Sequence, residues 1–102
     1  MAYERFFDKL TKENLWIYIL CMLKQGPDYA LNLRRRIKER FGFLPAKITF
    51  YFVLYRLEKE GLVESKKEGG KRLYSATQKG IDNLERAMLM MERTLQSFKA
   101  EP

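Results

Sequence analysis

Between residues 48 and 77 the chain changes its hydrophobic rhythm twice, and this limits the folds open to it more than any other feature. From Ile48 to Gly61 the strongest apolar positions are Phe50, Val53, Leu54 and Leu57, three and four apart, the period of a helix with one buried face. Gly61 follows the charged Glu58-Lys59-Glu60 and marks the helix stop. Two short runs come next, Leu62 to Glu68 and Lys71 to Ala76, joined by Gly69-Gly70. Two glycines supply the positive φ angles of a tight hairpin. Thr77 stands at the N-cap position of a further helix. This order predicts a winged helix-turn-helix, a mainly α fold with a small β-hairpin (α+β). In that fold the first of these helices enters the major groove of double-stranded DNA and the hairpin, or wing, touches the backbone.

Charge is distributed to match. Residues 34 to 80 hold 13 Lys or Arg against 5 Glu, a balance of +8, while the remainder holds 7 basic against 8 acidic residues, −1. All the excess positive charge therefore lies in the segment assigned to DNA, where it attracts a polyanion in a salt-dependent way. Lys66, Lys67, Lys71 and Arg72 ring the hairpin tip and suit phosphate contact. The plainer alternative is a solvated hairpin whose lysines keep a sheet edge soluble.

Upstream, Gln25-Gly26-Pro27-Asp28 turns the chain. Asp28 is placed to cap the next helix, which is expected to bury Leu31, Leu33 and Ile37. Arg34, Arg35, Arg36, Lys38 and Arg40 make that helix basic, as expected of a first helix that crosses the backbone, although a purely solvated face is the alternative. Gly42 ends it and Pro45 prevents its continuation. On the following helix the side opposite Phe50, Leu54 and Leu57 presents Lys47, Ile48, Tyr51, Tyr55 and, further round, Arg56. The N-terminal positions reach base edges, which selects Lys47, Ile48, Thr49 and Tyr51. Lys47 can donate to guanine, Thr49 can bond a base or offer its methyl to thymine, and Tyr51 suits a phosphate. Ile48 is equally a candidate core residue.

Thr49-Phe50-Tyr51, then Leu54-Tyr55-Arg56-Leu57-Glu58-Lys59-Glu60-Gly61-Leu62-Val63, then Tyr74, Thr77 and Lys79-Gly80 resemble the PadR family of winged-helix transcriptional regulators. The resemblance covers roughly residues 12 to 98. It implies a DNA-binding regulator that uses its C-terminal helix to dimerise, and it points to Thr49 and Tyr51 as DNA contacts. Phe52 stands where the family's pattern has proline, and Tyr29-Ala30-Leu31 where it has His-Gly-Tyr. No operator sequence carries over with these departures.

The C-terminal stretch has its own pattern. Ile81, Leu84, Met88, Met91, Leu95 and Phe98 fall at steps of 3, 4, 3, 4 and 3, a heptad seam over more than two heptads. Leu89 and Met90 add apolar surface beside it. Such a helix is expected to pair two copies into a homodimer, the alternative being that it folds back on its own domain. Residues 1–80 are thus assigned to the winged domain with an N-terminal helix, and 81–102 to dimerisation. A two-fold dimer sets its recognition helices roughly 34 Å apart, which implies a pseudo-palindromic operator.

At the other end, Tyr3, Phe6, Phe7 and Leu10 share a face of a short helix that is expected to pack on the body or on a partner subunit. Thr11 is the candidate N-cap for the next helix, which is apolar nearly all round from Leu15 to Leu23. That nine-residue run is far short of the roughly 20 residues that span a membrane. Trp16 is either core or the wall of a pocket or interface where a small aromatic effector stacks. Cys21 reads as a small buried hydrophobe.

With no His and one Cys, a Cys/His zinc site is excluded, and no nucleophile has a base to activate it. No Walker-type glycine loop is present. The expected protein is therefore a cytoplasmic regulator without cofactor or metal, most simply a repressor. A ligand-responsive sensor and a winged module that binds proteins rather than specific DNA are the other readings.

Overall fold

A computed structural model describes residues 1–101; Pro102, the last residue of the segment assigned to dimerisation, lies outside the described residues. The fold is the mainly helical one with a β-hairpin that the sequence predicts, the hairpin being extended to a three-stranded antiparallel sheet. Its elements are α1 (Ala2–Thr11), a 3-10 turn (Lys12–Asn14), α2 (Leu15–Lys24), β1 (Asp28–Tyr29), α3 (Ala30–Phe41), α4 (Lys47–Lys59), β2 (Val63–Glu68), β3 (Lys71–Ala76) and α5 (Gln78–Lys99). The sheet order is β1-β3-β2, all antiparallel.

The core forms where the apolar stripes of these elements converge. Ile19 and Leu20 of α2, Leu33 and Ile37 of α3, and Phe50 and Leu54 of α4 are fully buried. Val63, Tyr74 and Leu84 close it from the wing and from α5. Cys21 packs half-buried against this cluster.

The start of α5 is clamped to the helix–wing junction, which explains the Thr-x-Lys-Gly stretch. Thr77 Oγ1 donates to the Gly61 carbonyl (2.7 Å) and accepts from the Gly80 N–H (3.0 Å), a true N-cap. Lys79 Nζ donates to the Glu60 carbonyl at 2.8 Å. Gly80 has no room for a side chain: a Cβ there would overlap the Leu62 carbonyl oxygen and meet Leu20 Cδ2 at 3.0 Å.

Several expectations are corrected. Asp28 does not cap α3; it opens a two-residue strand, and its carboxylate instead accepts from Asn32 Nδ2 (2.9 Å), Arg36 Nη1 (2.6 Å) and the Tyr29 N–H (2.8 Å). Leu31 is not buried but 53% exposed, because it falls on the side of α3 away from Leu33 and Ile37. Thr11 is buried, yet its hydroxyl donates back to the Phe7 carbonyl (2.7 Å) and leaves α2 uncapped. The apolar face of α1 does not pack on the body of its own chain, where Tyr3, Phe6, Phe7 and Leu10 are all exposed; of the two expected covers, a partner subunit is the one left. Strand β1 has no counterpart in the sequence reading.

Candidate nucleic-acid interface

The turn between α3 and α4 is fixed by backbone geometry and by packing. Gly42 takes φ +81°, and its N–H bonds the Lys38 carbonyl at 2.9 Å, the left-handed C-terminal stop available to glycine. Phe43 and Pro45 are buried, and Tyr18 of α2 meets the Phe41 and Phe43 rings edge-on at 4.8 and 5.0 Å. Arg34 Nε donates to the Pro45 carbonyl at 2.7 Å. That bond ties α3 to the loop just ahead of α4.

With Phe50, Leu54 and Leu57 buried, α4 turns Lys47, Ile48, Thr49, Tyr51, Phe52, Tyr55 and Arg56 outward, all of them exposed. Ile48 is 86% exposed, which removes it from the core. No acidic residue lies in the first turn of α4, so its N-terminal dipole faces outward unopposed.

The wing stands beside this helix. Gly69 and Gly70 take φ of +57° and +81°, the backbone of a type I′ hairpin. Lys67 pairs with Arg72 and Lys66 with Leu73. Because faces alternate along a strand, Lys67 and Arg72 share the side that carries Ser65 and Tyr74. Arg72 Nη1 donates to Ser65 Oγ (3.1 Å), which donates to Glu58 Oε2 (2.8 Å), so this side is coupled to α4. Lys66 and Lys71 occupy the opposite side. There Lys71 Nζ sits 5.7 Å from the Tyr29 ring centre, and Tyr29 OH donates to Glu68 at 3.4 Å. Burial, with Glu58 nearby, pushes the Tyr74 phenol up, so it remains neutral beneath the wing.

The basic residues of α3 divide by role. Arg36 is held inward by Asp28 and by Gln25 Oε1 (3.2 Å), with only 26% of its side chain exposed. Its guanidinium is thus engaged within the fold. Arg35 bonds Glu39 at 2.6 Å and Asn32 but remains exposed. Burial alone would raise the Asp28 carboxyl; the bonds from Asn32, Arg36 and the Tyr29 N–H, with the Arg36 charge, outweigh it and hold the group below its usual range.

Sequence reasoning missed the contact of Tyr29 with Lys71 and Glu68 on the wing, because the strand that carries it is too short to show a pattern. It also left Phe52 out of the candidate contacts, although Phe52 follows directly on Tyr51. Along α5, Leu84 is buried in its own domain and Ile81 half-buried. The part of the heptad stripe that is exposed in the single chain therefore begins at Met88. From Met88 to Lys99 every residue is exposed.

Trp16 does line a groove of about 350 Å³, with Leu15, Val53, Arg56, Leu57 and Leu62 among its walls. Among the described residues no helix is long and apolar enough to cross a membrane, and no cluster of His, Cys, Asp or Glu is placed to hold a metal ion.

Several solved structures share this geometry. A PadR-like transcription factor from Bacteroides fragilis superposes with a TM-score of 0.78 at 20% identity, covering 93% of this chain and 96% of that one. A PadR family transcriptional regulator from Eggerthella lenta gives 0.74 at 22% identity, covering 96% and 89%. RosR of H. salinarum gives 0.68 at 27% identity, covering 87% and 79%. The first two similarities concern the fold. Comparison with curated protein sequences yields no match. Residues 19–86, two thirds of the chain, match the transcriptional regulator PadR-like family. That span includes the turn, α4, the wing and the α5 clamp, and the chain belongs to this family of transcription regulators rather than enzymes.

Proposed function

We propose that this regulator acts as a homodimeric repressor that binds a pseudo-palindromic operator through α4 and the wing. The observation that carries the reading is the uncovered apolar face of α5. Met88, Met91, Leu95 and Phe98 lie in one heptad stripe and all face solvent, Phe98 at 84%. A contiguous stripe of that kind is covered by a partner in a soluble protein, and its 3-4 spacing suits another helix. The exposed Tyr3, Phe6, Phe7 and Leu10 of α1 offer a second apolar face to the same partner. Two copies joined this way present two α4 helices to one side of a duplex, which is what a repeated half-site requires.

Within each half-site, Lys47, Thr49, Tyr51 and Tyr55 face the groove, Lys67 and Arg72 the backbone beside it, and Lys66 and Lys71 lie on the far side of the wing; Arg34 and Arg35 of α3 approach the backbone next to α4. Light scattering on the purified protein, alone and with a duplex carrying two half-sites, tests this. Two chains per particle and two per duplex are expected. A monomer that binds one half-site as tightly as two would overturn it.

The Trp16 groove favours a second, compatible reading, an effector sensor. It joins an indole wall to Val53, Arg56 and Leu57, all residues of α4. A planar aromatic ligand there bears directly on the helix that reads DNA. A panel of such compounds should shift both melting temperature and DNA affinity; compounds that bind without changing DNA affinity would contradict it.

A further inference from the structure

The outward stripe of α4 is chemically unusual for a helix assigned to base reading. Ile48, Tyr51, Phe52 and Tyr55 are spaced three and four apart and form one face opposite Phe50, Leu54 and Leu57. Ile48 is the most exposed of the four, Phe52 is 56% exposed, and Phe52 departs from the family's proline. The helix contains no Asn or Gln, the residues that bond adenine in a bidentate way. Its only arginine, Arg56, sits on the third turn, 5.9 Å from the Phe52 ring centre and 3.8 Å from Glu60, away from the N-terminal end that goes deepest. Hydrogen-bonding capacity over the first two turns is limited to Lys47, Thr49 and the Tyr51 phenol.

An exposed apolar helix face by itself fits several partners, but the surroundings of this one select an anion. Lys47 and the positive end of α4 lie at its head, and Lys67 and Arg72 lie on the α4 side of the wing. A protein partner would be asked to cover a hydrophobic stripe framed by Lys47, Lys67 and Arg72. The major groove of duplex DNA presents phosphates at its rims and, at thymine, an apolar methyl on its floor. Of the four bases only thymine offers such a group there.

We propose that α4 reads its operator chiefly through thymine 5-methyl groups, with Ile48 and Phe52 as the specificity-determining side chains. Tyr51 and Tyr55 flank them, turning ring edges to the same groove. The inference rests on the operator-binding reading above and adds its base chemistry. From Ile48 to Tyr55 the helix rises about 10 Å, roughly three base-pair steps of 3.4 Å. Each half-site therefore carries two to four thymines under α4, on either strand. Lys47 and Thr49 supply the polar contacts at the edge of that run.

The test uses the full chain and a library of duplexes with a randomised central region. Repeated selection is followed by resynthesis of the enriched duplex with deoxyuridine replacing thymidine, one position at a time, which removes a methyl and leaves the pairing pattern intact. Each contacted methyl is worth about a fourfold change in Kd, the scale of burying one hydrocarbon group. At least two positions per half-site should show that loss. Ile48→Ala, and separately Phe52→Ala, should weaken binding to the thymine duplex while making one of those positions insensitive to uridine. Both side chains are exposed, so both variants should melt as the parent does.

Uridine duplexes bound as tightly as thymine ones, or variants losing the same factor on both, would overturn the inference and leave the operator reading standing. An enriched half-site of G·C pairs alone would do the same. If no sequence is enriched at all, the operator reading falls and this one with it.

Discussion

The Leu62 carbonyl oxygen occupies the space where any side chain on Gly80 would begin, so the first turn of α5 lies directly on the backbone that joins α4 to the wing. The Thr77 N–H donates to that same carbonyl at 3.1 Å. A glycine inside a helix normally weakens it; here the close approach requires it. Gly80→Ala should therefore destabilise the protein by about 1–3 kcal/mol through overpacking, despite the gain of roughly 1 kcal/mol in helix propensity. Urea unfolding would read this as a lower midpoint at unchanged slope. A midpoint equal to or above the parent's would show that the junction yields freely.

The Asp28–Arg36 pair predicts a pH dependence. Asp28 in the folded state titrates below the ordinary carboxyl value of 3.8. Its contribution is thus fully present above that value and is lost as the pH falls through the folded one. Asp28→Asn should cost about 2 kcal/mol at pH 7, the scale of a charge-assisted hydrogen bond that is partly screened. The gap between the two proteins should narrow below about pH 4, where the parent carboxyl begins to take up a proton. Melting curves at pH 7 and pH 3 would show it; a gap that is constant across that range would remove the ion pair from the explanation.

Phosphate and base contacts separate by salt. Lys67→Ala should weaken binding to every duplex alike and lower the slope of log Kd against log salt by about one. Thr49→Ala should instead narrow the difference between operator and random DNA, with the slope unchanged. Equal losses on both duplexes for Thr49→Ala would take that residue off the groove. Arg36→Ala should act differently from either, lowering the melting temperature with little effect on the slope, because its guanidinium is spent on Asp28.

The α5 seam predicts its own variant. Leu95 is exposed in the single chain, so Leu95→Glu should leave the fold of the winged domain intact while converting dimer to monomer by light scattering. Affinity for a two-site duplex should then fall by at least about tenfold, since one half-site no longer recruits the other. A dimer that survives this change would move the interface to another surface.

Period and punctuation made most of the fold legible. Gly42, Gly61, Gly69 and Gly70 each mark a real positive-φ turn, and Thr77 caps the helix it precedes. Local chemistry misled where tertiary partners were stronger. Asp28 looks like a cap, but Arg36 and Asn32 claim its carboxylate; Thr11 bonds backwards rather than forwards. Strand β1 was invisible because two residues carry no period, and it exists only through pairing with β3. For the interface, spacing placed Lys47, Thr49, Tyr51 and Tyr55 on an exposed face. It could not distinguish Arg36, bound inward, from Arg35 beside it, nor assign Leu84 to the core rather than the seam. Those distinctions depend on neighbours distant in sequence.

The most direct single measurement is fluorescence anisotropy with a duplex from the promoter beside the protein's own gene against a scrambled duplex of equal composition, at several salt concentrations. A preference of roughly 10³-fold or more for the promoter duplex, with affinity falling steeply as salt rises, is the expected result. Equal and weak binding to both duplexes at every salt concentration would contradict sequence-specific operator recognition by α4 and the wing.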